Sequence, residues 1–404
     1  MLEANTEAFV ALLLISATVA VIIKRVPVPY VVALAVVGCA GGVVFGAGRI
    51  ILTPSLILFI LLPGLLFEAA FNLQWPRLRS GAIQILALAT IGVLVTTAVA
   101  GLLGHLLLGL SLGGAVVFGA VLAPTDPVAV VAVFRRLGLP SRLVTIVEAE
   151  SLVNDGTAVV LFSIALSAAT GETTNAPSVL LESLRLVGGG VAIGLAIGLA
   201  LSWVTVHIDD PQIEITITAV CAYGTYLVAE RAQVSAILAV VAAAATMGNY
   251  GRTHGMSPRT AAAVDVFWDY LAFLLNSATF LLIGFAVPWQ DLTSNLGAIA
   301  AAFAILMLGR AVAVYAVLGA LRPFGQHLLM RWQHLLVWSG LRGAVAIALL
   351  LSLTDRGGEF DTIRSIAYGV VLLSILIQGS TVGTVSHWLL PTGQASRRAG
   401  ESPS

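Results

Sequence analysis

Charge is what this chain has least of. Asp, Glu, Lys and Arg make up 10% of its 404 residues, and twenty acidic side chains balance twenty basic ones. A net charge of zero leaves no basic footprint for nucleic acid. Cysteine is nearly absent: Cys39 and Cys221 both sit inside apolar runs, which excludes a disulfide framework and a CxxC metal site. The six histidines are scattered, with no pair at the i, i+4 spacing of a helical zinc site. No polar gap exceeds about a dozen residues, so no soluble domain, regulatory or catalytic, fits within the chain.

What remains is hydrocarbon. Hydrophobic residues make up 59% of the sequence and mean hydropathy is +1.01, which places the chain in a bilayer rather than in water. Apolar runs long enough to span fall near 8–24, 29–46, 53–72, 81–107, 112–136, 143–170 and 178–206. Six more fall near 212–229, 233–249, 259–288, 294–320, 332–354 and 361–390. The expectation is an all-α polytopic membrane protein of about 13 transmembrane helices, forming one transporter-like domain over 1–404. The first run lacks the basic start of a cleavable signal and reads as a retained helix.

Counted from an external N-terminus, the inner loops and tail hold Lys24, Arg25, Arg77, Arg79, Arg135, Arg136, Arg142, Arg252, Arg259, Arg322, Arg331, Arg397 and Arg398. The outer loops hold Arg49, Arg231, Arg356 and Arg364. The positive-inside bias therefore predicts an outer N-terminus and an inner C-terminus, in a cell's inner (plasma) membrane. Residues 391–404 read as a short, disordered cytoplasmic tail.

Such a chain suits two inverted six-helix repeats, about 8–170 and 212–390, joined by a linker helix at 178–206. Each half contains an interruption in a corresponding run. The fifth run carries Pro124-Thr125-Asp126-Pro127 and the twelfth Ser339-Gly340-Leu341-Arg342-Gly343. Proline removes a backbone donor and glycine lets the chain leave the helix. Broken helices five and twelve would expose half-helix ends, with Asp126 complementing a positive end and Arg342 a negative one.

The sixth run holds Glu148-Ala-Glu150-Ser151-Leu-Val-Asn154-Asp155-Gly156. Three carboxylates this close together are costly at bilayer depth unless paired or functional. Ser151 and Asp155 share one helical stripe, Glu150 and Asn154 the next, so one side offers the oxygen ligands a small hard cation prefers. Arg310, in mid-run, needs a counter-charge, and Glu150 is the better partner because it leaves Asp155 free to titrate. Glu148 is expected to meet solvent or Arg142. Glu68, towards the inner end of the third run, either lines an entrance or snorkels. Ser277 and Thr279, with Asn276, read as helix–helix hydrogen-bonding groups, and His105 as a lone interfacial histidine.

Ala123-Pro-Thr-Asp-Pro127, Glu150-Ser-Leu-Val-Asn-Asp-Gly156, Gly340-Leu-Arg-Gly-Ala344 and Gly64-Leu-Leu-Phe-Glu68 together resemble the monovalent cation/proton antiporters, in the sodium/proton exchanger branch with the prokaryotic NhaP-type proteins. That resemblance implies broken helices that cross and a homodimer in the lipid bilayer. It implies a cation and proton site at Asp155 with Thr125, Ser151 and Asp126 around sodium and Asn154 beside it. It further implies a structural Glu150–Arg310 pair, Glu68 near a cytoplasmic funnel, and no resident cofactor beyond transported Na+ and H+. The short tail departs from animal relatives, so their type of regulation is not expected.

The expected function is secondary antiport of protons against sodium, with lithium or potassium as alternatives, for pH and sodium homeostasis. Proton and cation would compete at Asp155, and Asn154, which cannot carry a proton, predicts one titrating carboxylate and 1:1 electroneutral exchange. A cation channel is the alternative, though it has no need of two opposed breaks of unlike charge. An electrogenic antiporter would favour a carboxylate at Asn154. An intramembrane aspartyl protease would pair Asp126 with Asp155, yet its Gly-x-Gly-Asp setting is absent.

Overall fold

The computed structural model describes residues 2–25, 28–45, 53–171, 176–354 and 356–390. The expected tail at 391–404, with Arg397 and Arg398, and the loop residue Arg49 lie outside them. The described residues are helical throughout. In chain order the helices are α1 (Leu2–Ile23), α2 (Tyr30–Phe45), α3 (Pro54–Phe71), α4 (Trp75–Leu108), α5 (Leu112–Leu122), α6 (Val128–Arg136), α7 (Ser141–Ala169) and α8 (Ala176–Thr205). They continue with α9 (Pro211–Arg231), α10 (Ala236–Thr246), α11 (Pro258–Phe285), α12 (Trp289–Ser294), α13 (Leu296–Leu321), α14 (Met330–Trp338), α15 (Ala344–Leu351) and α16 (Glu359–Leu389).

Among the described residues, seven helical segments are long and apolar enough to cross a membrane, including α3, α4, α7, α8, α11 and α16. Shorter apolar helices accompany them. The fifth and twelfth apolar runs are each split, into α5 and α6 and into α14 and α15. The short α12 was not anticipated. Residues 232–235 divide α9 from α10, near the division expected between the runs at 212–229 and 233–249.

Local chemistry explains where the helices begin. Asp210 accepts hydrogen bonds from Gln212 N and Ile213 N, and Pro211 opens α9 with a residue that has no amide to satisfy. Ser257 and Pro258 start α11 in the same way. Ser111 caps α5 by accepting from Gly114 N at 3.0 Å, and Glu359 of α16 accepts from the Ser111 hydroxyl at 2.6 Å.

The helices pack densely in two groups. In one, α2 lies on α11, and α10 lies on α3, α8 and α9. Gly190, Gly194 and Gly198 let α8 approach the backbone of α10 at Ser235, Ala239 and Ala243. This is the small-residue packing available where lipid removes the hydrophobic drive between helices. In the other group α4 lies on α5 and α13, α7 on α4 and α5, α14 on α13 and α16, and α15 on α16. The two breaks belong to this second group.

Candidate ion-binding site

The breaks meet. Asp126 N donates to Leu341 O at 2.7 Å, an isolated antiparallel bridge between the interrupted segments. Four half-helix ends therefore converge on one place. The Asp126 carboxylate accepts Val128 N at 2.9 Å, capping α6, and also the amide of Ala344 at the start of α15. It thus sits against two positive helix ends. Gly343 makes this approach available, because a Cβ there would lie 2.5 Å from Asp126 Cβ. Arg342 lies beyond the C-terminus of α14, fully buried, and its Nη1 donates to Gly340 O at 2.6 Å.

Two residues that sequence reasoning passed over hold the second break in shape. Gln378 Nε2 donates to Trp338 O, at the end of α14, at 2.9 Å. Its Oε1 accepts from Ser374 Oγ at 2.6 Å, and Ser374 Oγ accepts Arg342 N at 3.0 Å. Both side chains are fully buried and lie on a π-helical turn, Ser374–Gln378. A lone Gln in Ile375-Leu-Ile-Gln378 was the available signal, since an uncharged amide at that depth needs partners.

On α7 the polar stripe divides by contact. Glu150 binds Arg310 through two bonds, 2.6 Å from Nη1 to Oε1 and 2.8 Å from Nη2 to Oε2, and both side chains are buried. The guanidinium also donates to Leu336 O on α14. Asn154 Oδ1 accepts Thr125 N at 3.2 Å, while its Nδ2 donates to Thr125 Oγ1 at 2.7 Å. Ser151 Oγ lies 2.9 Å from Thr125 Oγ1. Asp155 differs from all of these. It is 8% exposed, carries no hydrogen bond among the described residues, and interacts electrostatically with Asp126 and Arg342.

Asp155, Asp126 and Thr125 line a pocket of about 50 Å³. Leu62, Leu65, Leu66 and Ala69 of α3 close it, so it lies where the two helix groups meet. A water needs roughly 10–15 Å³ by this measure, so the pocket has room for a small cation with part of its hydration. Ser151 and Asn154 stand behind Thr125 and do not line it. Glu68 is also off the pocket. Its carboxylate accepts Asn72 Nδ2 at 2.8 Å and interacts with Glu148, Asp269 and Arg135.

Glu148 pairs with Arg135 at 2.9 Å, where solvent or Arg142 was expected. Arg142 instead donates to Ser80 O. The turn after α6 lays that helix beside α7, bringing Arg135 opposite Glu148. Six residues separate Arg142 from Glu148, about 9 Å along the axis and round to another face. Ser277 bonds to Tyr30 OH of α2 at 2.7 Å, whereas Thr279 bonds back to Leu275 O of its own helix. His105 Nδ1 meets Leu110 O.

The family model of the sodium/hydrogen exchanger transmembrane region matches residues 10–388. The chain belongs to the sodium/hydrogen exchanger family. It is 39% identical over 406 residues to the low-affinity Na+/H+ antiporter NhaS1 of Synechocystis sp., covering 98% of this chain and 76% of that protein. It is 38% identical to the Na+/H+ antiporter ApNhaP of Aphanothece halophytica, over 98% of this chain and 77% of the relative. The Na+/H+ antiporter NhaP of Pseudomonas aeruginosa is 38% identical over 80% of this chain and 78% of its own length. The fold is similar to that of the sodium proton antiporter MjNhaP1 of Methanocaldococcus jannaschii, with a TM-score of 0.80 at 21% identity over 96% of this chain and 99% of that one. This is a family of multi-pass membrane transporters, not of enzymes, so Asp126 and Asp155 are not a protease dyad.

Proposed function

We propose that this exchanger-family chain carries protons one way and sodium the other across the plasma membrane, one for one, by competition at Asp155. The observation that carries the reading is Asp155 itself: a buried carboxylate with no hydrogen bond among the described residues, facing a pocket shared with Thr125 and Asp126. A carboxylate without donors at this depth needs a proton or a cation, and the two exclude one another at the same oxygens. The antiporter names of the relatives support the same substrates. In this reading sodium takes oxygens from Asp155 and Thr125, with Asp126 held nearby by helix ends. Ser151 and Asn154 act through the Thr125 hydroxyl.

Glu150 is spent on Arg310, and Asn154 cannot titrate, which leaves one exchangeable proton and supports electroneutrality. Alternating access follows from movement of the helix group bearing the breaks past the group bearing α3, whose leucines close the pocket. The reading includes inverted repeats at about 8–170 and 212–390 around the linker helix 178–206, about thirteen spans, an outer N-terminus and a homodimer, with Glu68 towards the cytoplasmic approach. Proteoliposomes with an imposed pH gradient test it. Sodium added to wild type is expected to dissipate the gradient, Asp155→Asn to abolish that response, and a clamped voltage to leave the rate unchanged. Cation flux indifferent to the pH gradient would establish a channel instead.

A further inference from the structure

A second, larger cleft opens between the helix groups on another side of α6. It measures about 690 Å³, and its body is apolar: Ile23, Val31, Val128, Ala132, Val133 and Phe273 are among its walls. α2 and α11 supply one side, α6 and α16 the other. At its rim stand Arg136 and His387, and Lys24-Arg25 follow Ile23 directly in the chain. Among the described residues no acidic side chain lines it. Arg135 is neutralised by Glu148, but Arg136 next to it has no hydrogen bond or ion pair among the described residues.

We propose that this cleft binds one anionic phospholipid, its acyl chain between α6 and α11 and its phosphate at Arg136 and His387. A largely apolar space of this size within a bilayer is filled at lower cost by hydrocarbon than by water, for which the walls below the rim offer only the side chains of Tyr30, Asn276, Ser380 and Thr384 among the described residues. The rim supplies the matching half, a free guanidinium and an imidazole where an anionic headgroup sits. Free phosphate would use the rim but not the apolar body.

The site has a bearing on transport. Val128 lines both this cleft and the ion pocket, and its amide is one of the two that cap Asp126. A lipid lodged against α6 from the far side therefore touches the half-helix whose end faces the cation. This consequence rests on the antiport reading; the binding itself does not.

Native mass spectrometry of the full chain in detergent tests the binding, with phosphatidylglycerol and phosphatidylcholine as probes. Wild type is expected to retain phosphatidylglycerol preferentially. Arg136→Gln with His387→Gln is expected to lower that retention by about fivefold or more. Ala132→Trp, which fills the apolar body and keeps both rim groups, is expected to lower it as well. Size-exclusion profiles matching wild type establish that the variants are folded. Equal retention of phosphatidylcholine, undiminished retention by the double variant, or displacement by millimolar inorganic phosphate would each overturn the proposal. In vesicles, added phosphatidylglycerol is expected to change the wild-type exchange rate and leave that of the double variant unchanged. An unresponsive wild type would remove the link to transport while the binding result stands.

Discussion

Asp126 and Gly343 occupy a contact that admits no side chain at position 343. The Asp126 carboxylate fills the space a Cβ would take, and through it reaches the amides that open α6 and α15. Gly343→Ala is therefore expected to push Asp126 off both helix ends and reduce exchange at least tenfold. Sodium-driven pH-gradient dissipation in proteoliposomes measures this. Unaltered exchange in the alanine variant would mean that the carboxylate is free to move aside.

Glu150 and Arg310 are expected to matter for assembly. Breaking a buried pair from one side strands a charge and costs on the order of 3–5 kcal/mol. Glu150→Gln and Arg310→Met should each lower the midpoint of thermal aggregation. The combined Glu150→Leu and Arg310→Met variant should recover part of that loss, because no charge is then stranded. Single variants with wild-type thermal stability and no transport would instead assign the pair a role in ion movement.

Asn154→Asp tests the donor half of the Asn154 side chain. Asn154 Nδ2 donates to Thr125 Oγ1, and a carboxylate in its place has no hydrogen to offer. The Thr125 hydroxyl must then turn to donate to position 154, and the expected cost is about 1–3 kcal/mol, from the lost amide donor and a further buried carboxylate beside Glu150. Asp is isosteric with Asn, so a wild-type melting midpoint would count directly against the Thr125–Asn154 contact.

Competition at Asp155 sets the form of the pH response. Below the pH at which the site is half protonated, each unit of acidification should raise the apparent KM for sodium about tenfold and leave the maximal rate nearly constant. Initial rates over a grid of sodium and proton concentrations check this. A falling maximal rate at fixed KM would point to a proton acting elsewhere.

Gln378→Leu removes the bonds to Trp338 O and Ser374 while keeping an apolar side chain of similar length. Exchange is expected to fall several-fold, with partial rescue by Gln378→Asn or Gln378→Glu if one bond is regained. A leucine variant equal to wild type would show that the second break holds its shape without this residue.

Much of the site was legible because charge and proline are so rare in this chain. Asp155, Asp126 and Arg310 stand out in apolar runs, and Pro124, Pro127, Gly340 and Gly343 mark the departures from helix. Partner choice was harder to read. Arg142 is the nearer to Glu148 in sequence, six positions away against thirteen for Arg135, yet the turn between α6 and α7 gives the contact to Arg135. Ser151 has the right chemistry for a cation ligand, yet its hydroxyl is taken by Thr125. Ser374 and Gln378 depend on a π-helical turn, whose extra residue shifts the helix face and has no spacing signature of its own.

The bond from Asp126 N to Leu341 O joins main chain to main chain. Side-chain exchange at either position leaves both of its atoms in place, so an alanine scan passes over the contact that holds the two breaks together. Only changes to the peptide unit reach it: proline at 126, or an ester in place of that amide. The crossing point is in this sense shielded from most side-chain substitutions, and drift in the flanking residues can retune the pocket without parting the two interrupted segments that carry it.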